Sequence, residues 1–140
     1  MRMAESCYSG GCLCGGVRYQ VTGAASNLCC CHCASCRRAT GAAMVPWGTF
    51  ARANFRLSRG TLAEYRSSPR VTRGFCRTCG TSLTYNHDAR GDEIDIALAT
   101  LDEPARLVPQ VHVWVGDKLP WLAISDGRPQ FTAGSSGETA

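Results

Sequence analysis

Apolar and polar residues alternate along several short stretches of the chain. In VRYQV (17–21), TLAEYR (61–66) and EIDIALATL (93–101) the period is two, the signature of a strand with one buried face. The last of these puts Ile94, Ile96 and Leu98 on a single face. MVPWGTF (44–50) and FRLS (55–58) read as interrupted strands, and VHVWV (111–115) as a continuous β-branched and aromatic run. Gly60, Gly91, Pro104 and Pro109 punctuate these segments. The one helical candidate is ASCRRAT (34–40), about two turns long. The pattern predicts a mainly β single domain whose sheets are too small for a generous core, so that a metal staple would help it fold. Residues 1–9 read as a flexible leader, 10–131 as the folded domain, and 132–140, small and polar, as a flexible tail.

Composition narrows the class. The 140 residues suit one domain, and 44% hydrophobic with 19% charged residues is a globular balance. The net charge is +4, and fourteen of the fifteen basic residues are arginine, scattered along the chain. No basic stripe of the nucleic-acid-binding kind is present, so no nucleic-acid partner is expected. No stretch has the length of a signal-peptide core or a membrane span, which predicts a cytoplasmic protein with no membrane contact. Stable disulfides are rare in that reducing compartment. The ten cysteines therefore point to metal binding or catalysis.

Seven of them fall into clusters. Cys12 and Cys14 form C-x-C-G-G, Cys31, Cys33 and Cys36 form C-H-C-x-x-C, and Cys76 and Cys79 form C-x-x-C-G. Residues two apart in an extended backbone point to the same face, so Cys12 aims with Cys14 and Cys31 with Cys33. C-x-x-C followed by glycine is the zinc-knuckle turn, in which the glycine takes a positive φ; Gly80 follows Cys79 and Gly15 follows Cys14. Three such clusters predict zinc rather than iron–sulfur or redox chemistry. Seven thiols cannot fill two four-thiolate sites. One site can close with four; the other has three, with a fourth position open to water or substrate, as catalytic zinc requires. A non-cysteine ligand or a leftover thiol closing the second site is the alternative. Spacing alone leaves the pairing open, although the self-sufficient central triplet favours the two outer pairs joining each other.

His32 lies between two ligands and so points to the opposite face, where it is expected to pack behind the site rather than ligate. Cys29 and Cys30 are expected to pack as small hydrophobes. Cys7 falls in the leader without a role. His112, on the face opposite Val111, Val113 and Val115, either lines a pocket or lies on the surface. Arg37 and Arg38 follow the last ligand directly and could offset its negative charge or hold a substrate carboxylate. Trp47 and Phe50 could wall a pocket or fill the core.

The motifs GGCLCGGVRY (10–19), CHCASCRRATGA (31–42), GTLAEYRSS (60–68), RGFCRTCGTSLTY (73–85) and LDEPARLVPQVHVWVGDKLPW (101–121) resemble, in order, the glutathione-dependent formaldehyde-activating enzyme family, which includes centromere protein V. The resemblance implies a β-tent fold related to zinc ribbons and two zinc ions. Cys12, Cys14, Cys76 and Cys79 would hold a structural zinc, and Cys31, Cys33 and Cys36 a catalytic one. The family's named activity joins formaldehyde to the thiol of glutathione, giving S-hydroxymethylglutathione, formally a carbon–sulfur lyase reaction. The implied partner is a small-molecule thiol. The matching motifs are those of metal and fold, and none of them reads glutathione. The doublet Cys29–Cys30 is not part of the family pattern. A non-catalytic zinc module with a closed second site, acting as a binding or chaperone-like protein, is the competing reading.

Overall fold

The computed structural model describes residues 4–134. It is a mainly β single domain with ten strands and one α-helix among these residues. Strands β1 (Cys7–Gly11), β2 (Arg18–Thr22) and β5 (Phe55–Arg59) form a three-stranded antiparallel sheet in the order β1-β2-β5. A larger sheet holds β3 (Ser26–Cys31), β4 (Val45–Ala51), β6 (Ala63–Ser68), β7 (Val71–Phe75), β8 (Ser82–His87), β9 (Glu93–Ala97) and β10 (Val111–Val113), in the order β10-β3-β4-β9-β8-β7-β6. Only the β10–β3 pair is parallel. Helix α1 (Ala34–Thr40) coincides with the stretch read as helical, and it ends on Gly41 in the left-handed conformation.

Burial on both faces of the large sheet separates two cores. Val17, just before β2, and Tyr19 and Val21 within it pack with Phe50, Leu83, Ile94 and Ile96 in the core between the two sheets. On the opposite face Cys31, Cys36, Val45, Trp47, Ala97 and Val113 form a second cluster beneath α1. This division corrects several expectations. The seven-stranded sheet is larger than the pattern suggested. β9 itself stops at Ala97 and Leu98 opens a 3-10 turn, yet Leu98 packs in the same core as Ile94 and Ile96, as the alternation predicts, while Asp95 and Ala97 are buried on the other face. The strand at 111 ends after three residues because Trp114 turns to a φ of 59°. Trp47 and Phe50 fill different cores.

The leader expected over 1–9 contains most of β1. Its small residues hide a strand: a Cβ on Gly10 would lie 2.4 Å from the Tyr19 hydroxyl and 2.5 Å from the Thr100 carbonyl, so close approach requires glycine there. At the other end, Trp114, Val115 and Gly116 donate backbone hydrogen bonds to the carbonyls of Ala133, Phe131 and Thr132, so the start of the expected tail is tied back to the domain. Residues 1–3 and 135–140 lie outside the described residues.

Candidate metal centres

The turn between β1 and β2 carries Cys12 and Cys14, and the turn between β7 and β8 carries Cys76 and Cys79. Their four sulfurs lie within 4.8 Å of one another. Cys12 and Cys14 are 3.6 Å apart, and Cys14 and Cys76 3.8 Å. Four sulfurs around one tetrahedral zinc would stand about 3.7–3.8 Å apart with Zn–S bonds near 2.3 Å, so the donor set fits that ion. Both turns are knuckles. Gly15 and Gly80 have φ of 77° and 78°, and a Cβ on either would meet nothing, so backbone conformation rather than space calls for glycine. Val17 and Gly16 donate backbone N–H groups to the sulfurs of Cys12 and Cys14 at 3.2 and 3.4 Å. Hydrogen bonds from the Thr81 hydroxyl and amide draw Cys79 down to about 5, toward the thiolate a metal needs.

The central triplet forms a second group. The sulfurs of Cys31, Cys33 and Cys36 also lie within 4.8 Å of one another. Cys31 ends β3, and Cys33 remains extended (φ −62°, ψ 151°) as the N-cap of α1. Its sulfur accepts the Cys36 backbone N–H at 3.3 Å, which turns the chain so that Cys36 returns to the pair. Among the described residues no fourth cysteine, histidine or carboxylate joins the trio. Hydrogen bonds from the Cys31 and Cys33 thiols, reinforced by the Arg73 guanidinium, hold Cys36 far below the usual thiol range. Its hydrogen bonds with Cys33 and Cys36, together with burial, push Cys31 up.

The remaining thiols stay apart from both groups. Cys29 is half-buried against Trp47, its partner in register, and burial pushes it up to about 12. Cys30 is buried, which also raises it. All ten cysteines are free of disulfides.

His32 faces away from the ligands, as parity required. It is wholly buried, and its Nε2 lies 2.8 Å from Nδ1 of His112. His112 pairs in register with Cys30, which puts both imidazoles on one face of the β3–β10 pair. Its Nε2 donates to Asp126 Oδ2 at 2.8 Å; in the neutral tautomer this leaves Nδ1 to accept from His32 Nε2. Arg128 completes the chain by pairing with Asp126 at 2.9 Å. His112 is buried rather than on the surface; besides joining this polar chain, it lines a cavity of about 240 Å³ with Met44, Leu122 and Asp126, as the pocket alternative expected.

The arginines that follow Cys36 do not neutralise it. Arg37 donates its Nε to the His32 carbonyl at 3.3 Å, and Arg38 is exposed. The cation at the trio is Arg73 of β7, whose Nη1 and Nη2 lie 3.7 and 3.8 Å from Cys36 Sγ.

The chain matches the family model of the glutathione-dependent formaldehyde-activating enzyme over residues 7–117. It belongs to that family. No curated protein matches it. A crystal structure of a Rhodobacter sphaeroides protein is similar in fold, with a TM-score of 0.57 and 22% identity over 88% of this chain and 98% of that one. No helix among the described residues is long and apolar enough to cross a membrane.

Proposed function

We propose that the chain is a zinc-dependent carbon–sulfur lyase acting on a small thiol adduct, with glutathione and formaldehyde combining to S-hydroxymethylglutathione as the leading candidate reaction. The observation that carries this reading is the inequality of the two sulfur groups, four in one and three in the other. The four-sulfur group is complete for a tetrahedral ion and suits a structural role. The three-sulfur group leaves one position for a substrate, which family membership supports. The joining of two sheets at the four-cysteine group supports a zinc-ribbon-related β-tent.

Zinc at the three-sulfur group would stabilise a substrate thiol as its thiolate near neutral pH. Cys31, Cys33 and Cys36 hold that position, and the N-cap geometry of Cys33 fixes the spacing of the trio. In the addition, the substrate sulfur forms a bond to the aldehyde carbon. The carbonyl electron pair moves to oxygen, and a proton ends there. Cleavage of the adduct reverses these movements. Holding the two reactants side by side supplies much of the acceleration. A cleft of about 320 Å³ lies between Thr40 at the end of α1, Val45 and the Cys79–Ser82 turn; Cys79 of the four-sulfur group lines it and none of Cys31, Cys33 and Cys36 does, so its link to the three-sulfur group is through Val45 and Ala97, which pack against that trio. Arg38 stands exposed on α1, free to meet a substrate carboxylate.

The test is the rate at which formaldehyde and glutathione approach equilibrium with the adduct, followed by NMR exchange spectroscopy. Wild-type protein should accelerate the exchange and Cys33→Ser should not. Equal exchange with and without enzyme, in protein carrying two zinc ions, would favour the non-catalytic zinc module.

A further inference from the structure

Arg73 is a buried cation that sequence patterning gives no reason to single out. Its residue is 7% exposed. A guanidinium removed from water is strongly disfavoured unless a counter-charge meets it. Across the sheet, Tyr65, Arg73 and Tyr85 stand in one register row. The guanidinium lies 5.0 Å from the Tyr85 ring centroid, and its Nε donates to the Ser67 hydroxyl at 3.1 Å. Neither partner is charged. The nearest acid along the same row, Asp95, is taken by Arg90 at 2.9 Å and by the Thr49 hydroxyl at 2.6 Å. Among the described residues Arg73 has no carboxylate partner. The two remaining nitrogens, Nη1 and Nη2, both donate to Cys36 Sγ.

The geometry points to Arg73 as the counter-ion of the three-cysteine metal site, a positioning residue that acts through the Cys36 sulfur. The inference rests on the metal reading proposed above. Three thiolates on a divalent ion carry a net charge of −1, and one guanidinium brings the buried assembly to neutrality. Two N–H groups directed at one sulfur also withdraw electron density from it, which leaves the ion a better acceptor for a fourth ligand. The fork fixes the Cys36 rotamer, because Tyr85 and Ser67 hold the guanidinium in place.

The experiment is cobalt titration of the full chain, with zinc competition against a chromophoric chelator, on wild type, Arg73→Lys and Arg73→Gln. Wild type should bind two ions. Arg73→Gln should bind at the three-cysteine site at least tenfold more weakly and shift its sulfur-to-cobalt charge-transfer band, with the four-cysteine site unchanged. Arg73→Lys, which keeps the charge without the fork, should fall between. Two ions held by Arg73→Gln with wild-type affinity and spectrum would overturn the inference and leave the proposed function standing. A single ion in wild type would overturn both. Should Arg73→Gln fail to fold, cadmium-113 NMR of the wild-type protein decides. A correlation between the Arg73 Nη protons and the cadmium bound by Cys36 is expected, and its absence overturns the role.

Discussion

The sulfur of Cys14 lies 3.8 Å from that of Cys76, across 62 residues of sequence. Cys14 belongs to the turn of the three-stranded sheet and Cys76 to a turn of the seven-stranded sheet, so the contact joins the two layers around the larger core. Binding of structural zinc is worth on the order of 10 kcal/mol in small domains, comparable with the whole stability of an ordinary domain, about 5–15 kcal/mol. Cys79→Ser should therefore lose one metal and unfold, or melt far below wild type. Metal analysis beside a circular-dichroism melt checks it. Unchanged melting in a soluble Cys79→Ser protein would refute the structural assignment.

The central triplet should behave differently. Cys33 is both a ligand candidate and the N-cap of α1. Serine is among the preferred N-cap residues, so Cys33→Ser keeps the cap while weakening the donor set. The expected result is one metal lost, activity lost, and a far-UV spectrum close to wild type. Loss of both metals with unfolding would show that the two groups do not have separate roles.

Cys29→Ala should retain both metals. Cys29 has the parity of Cys31 but stands two residues earlier in β3, about 6–7 Å away at strand rise, and its sulfur is not in the group. Burial keeps it a thiol at neutral pH. The cost should be packing alone, about 1 kcal/mol, read as a small shift in a denaturant midpoint. Release of one zinc by Cys29→Ala would make the second site a closed four-thiolate one and end the catalytic reading.

Local rules made the two cysteine clusters legible. Parity orients Cys31 with Cys33 and turns His32 away, and glycine after each outer pair marks the knuckles. The helix at 34–40 followed from the same short-range reasoning. Contacts made across the sheet were not legible. Arg73 is one arginine among fourteen, in a strand interrupted by Gly74, and only the folding of β7 beside β8 brings it under Cys36. Arg37 and Arg38 drew attention by adjacency, yet a helix surface turns Arg38 outward. His112 meets His32 only because β10 pairs in parallel with β3, an arrangement no local pattern encodes.

That histidine pair yields the last prediction. His32 Nε2 donates to His112 Nδ1, His112 Nε2 donates to Asp126, and both rings are buried. The His112 hydrogen bond, with donation from Arg128, holds the Asp126 carboxyl well below the usual carboxylate range. Burial, the largest cause, pushes His32 down, so it stays neutral near pH 7, and in this tautomer it needs an acceptor for its Nε2 proton. His112→Ala removes that acceptor from a side chain with no access to water. A buried donor left unpaired costs about 1–3 kcal/mol, and the alanine cavity adds to it. The variant should melt several degrees below wild type while keeping both metals, because neither imidazole is a ligand candidate. Asp126→Ala alone should cost less, since its side chain is 32% exposed. Once His112 is gone, Asp126 keeps only Arg128 and no longer supports the imidazole pair, so the double variant should be less destabilised than the sum of the singles, by about 0.5–3 kcal/mol. Denaturant unfolding of the four proteins measures that coupling. Strict additivity would mean that Asp126 and His112 act independently and that the chain from Arg128 to His32 carries no joint stabilisation.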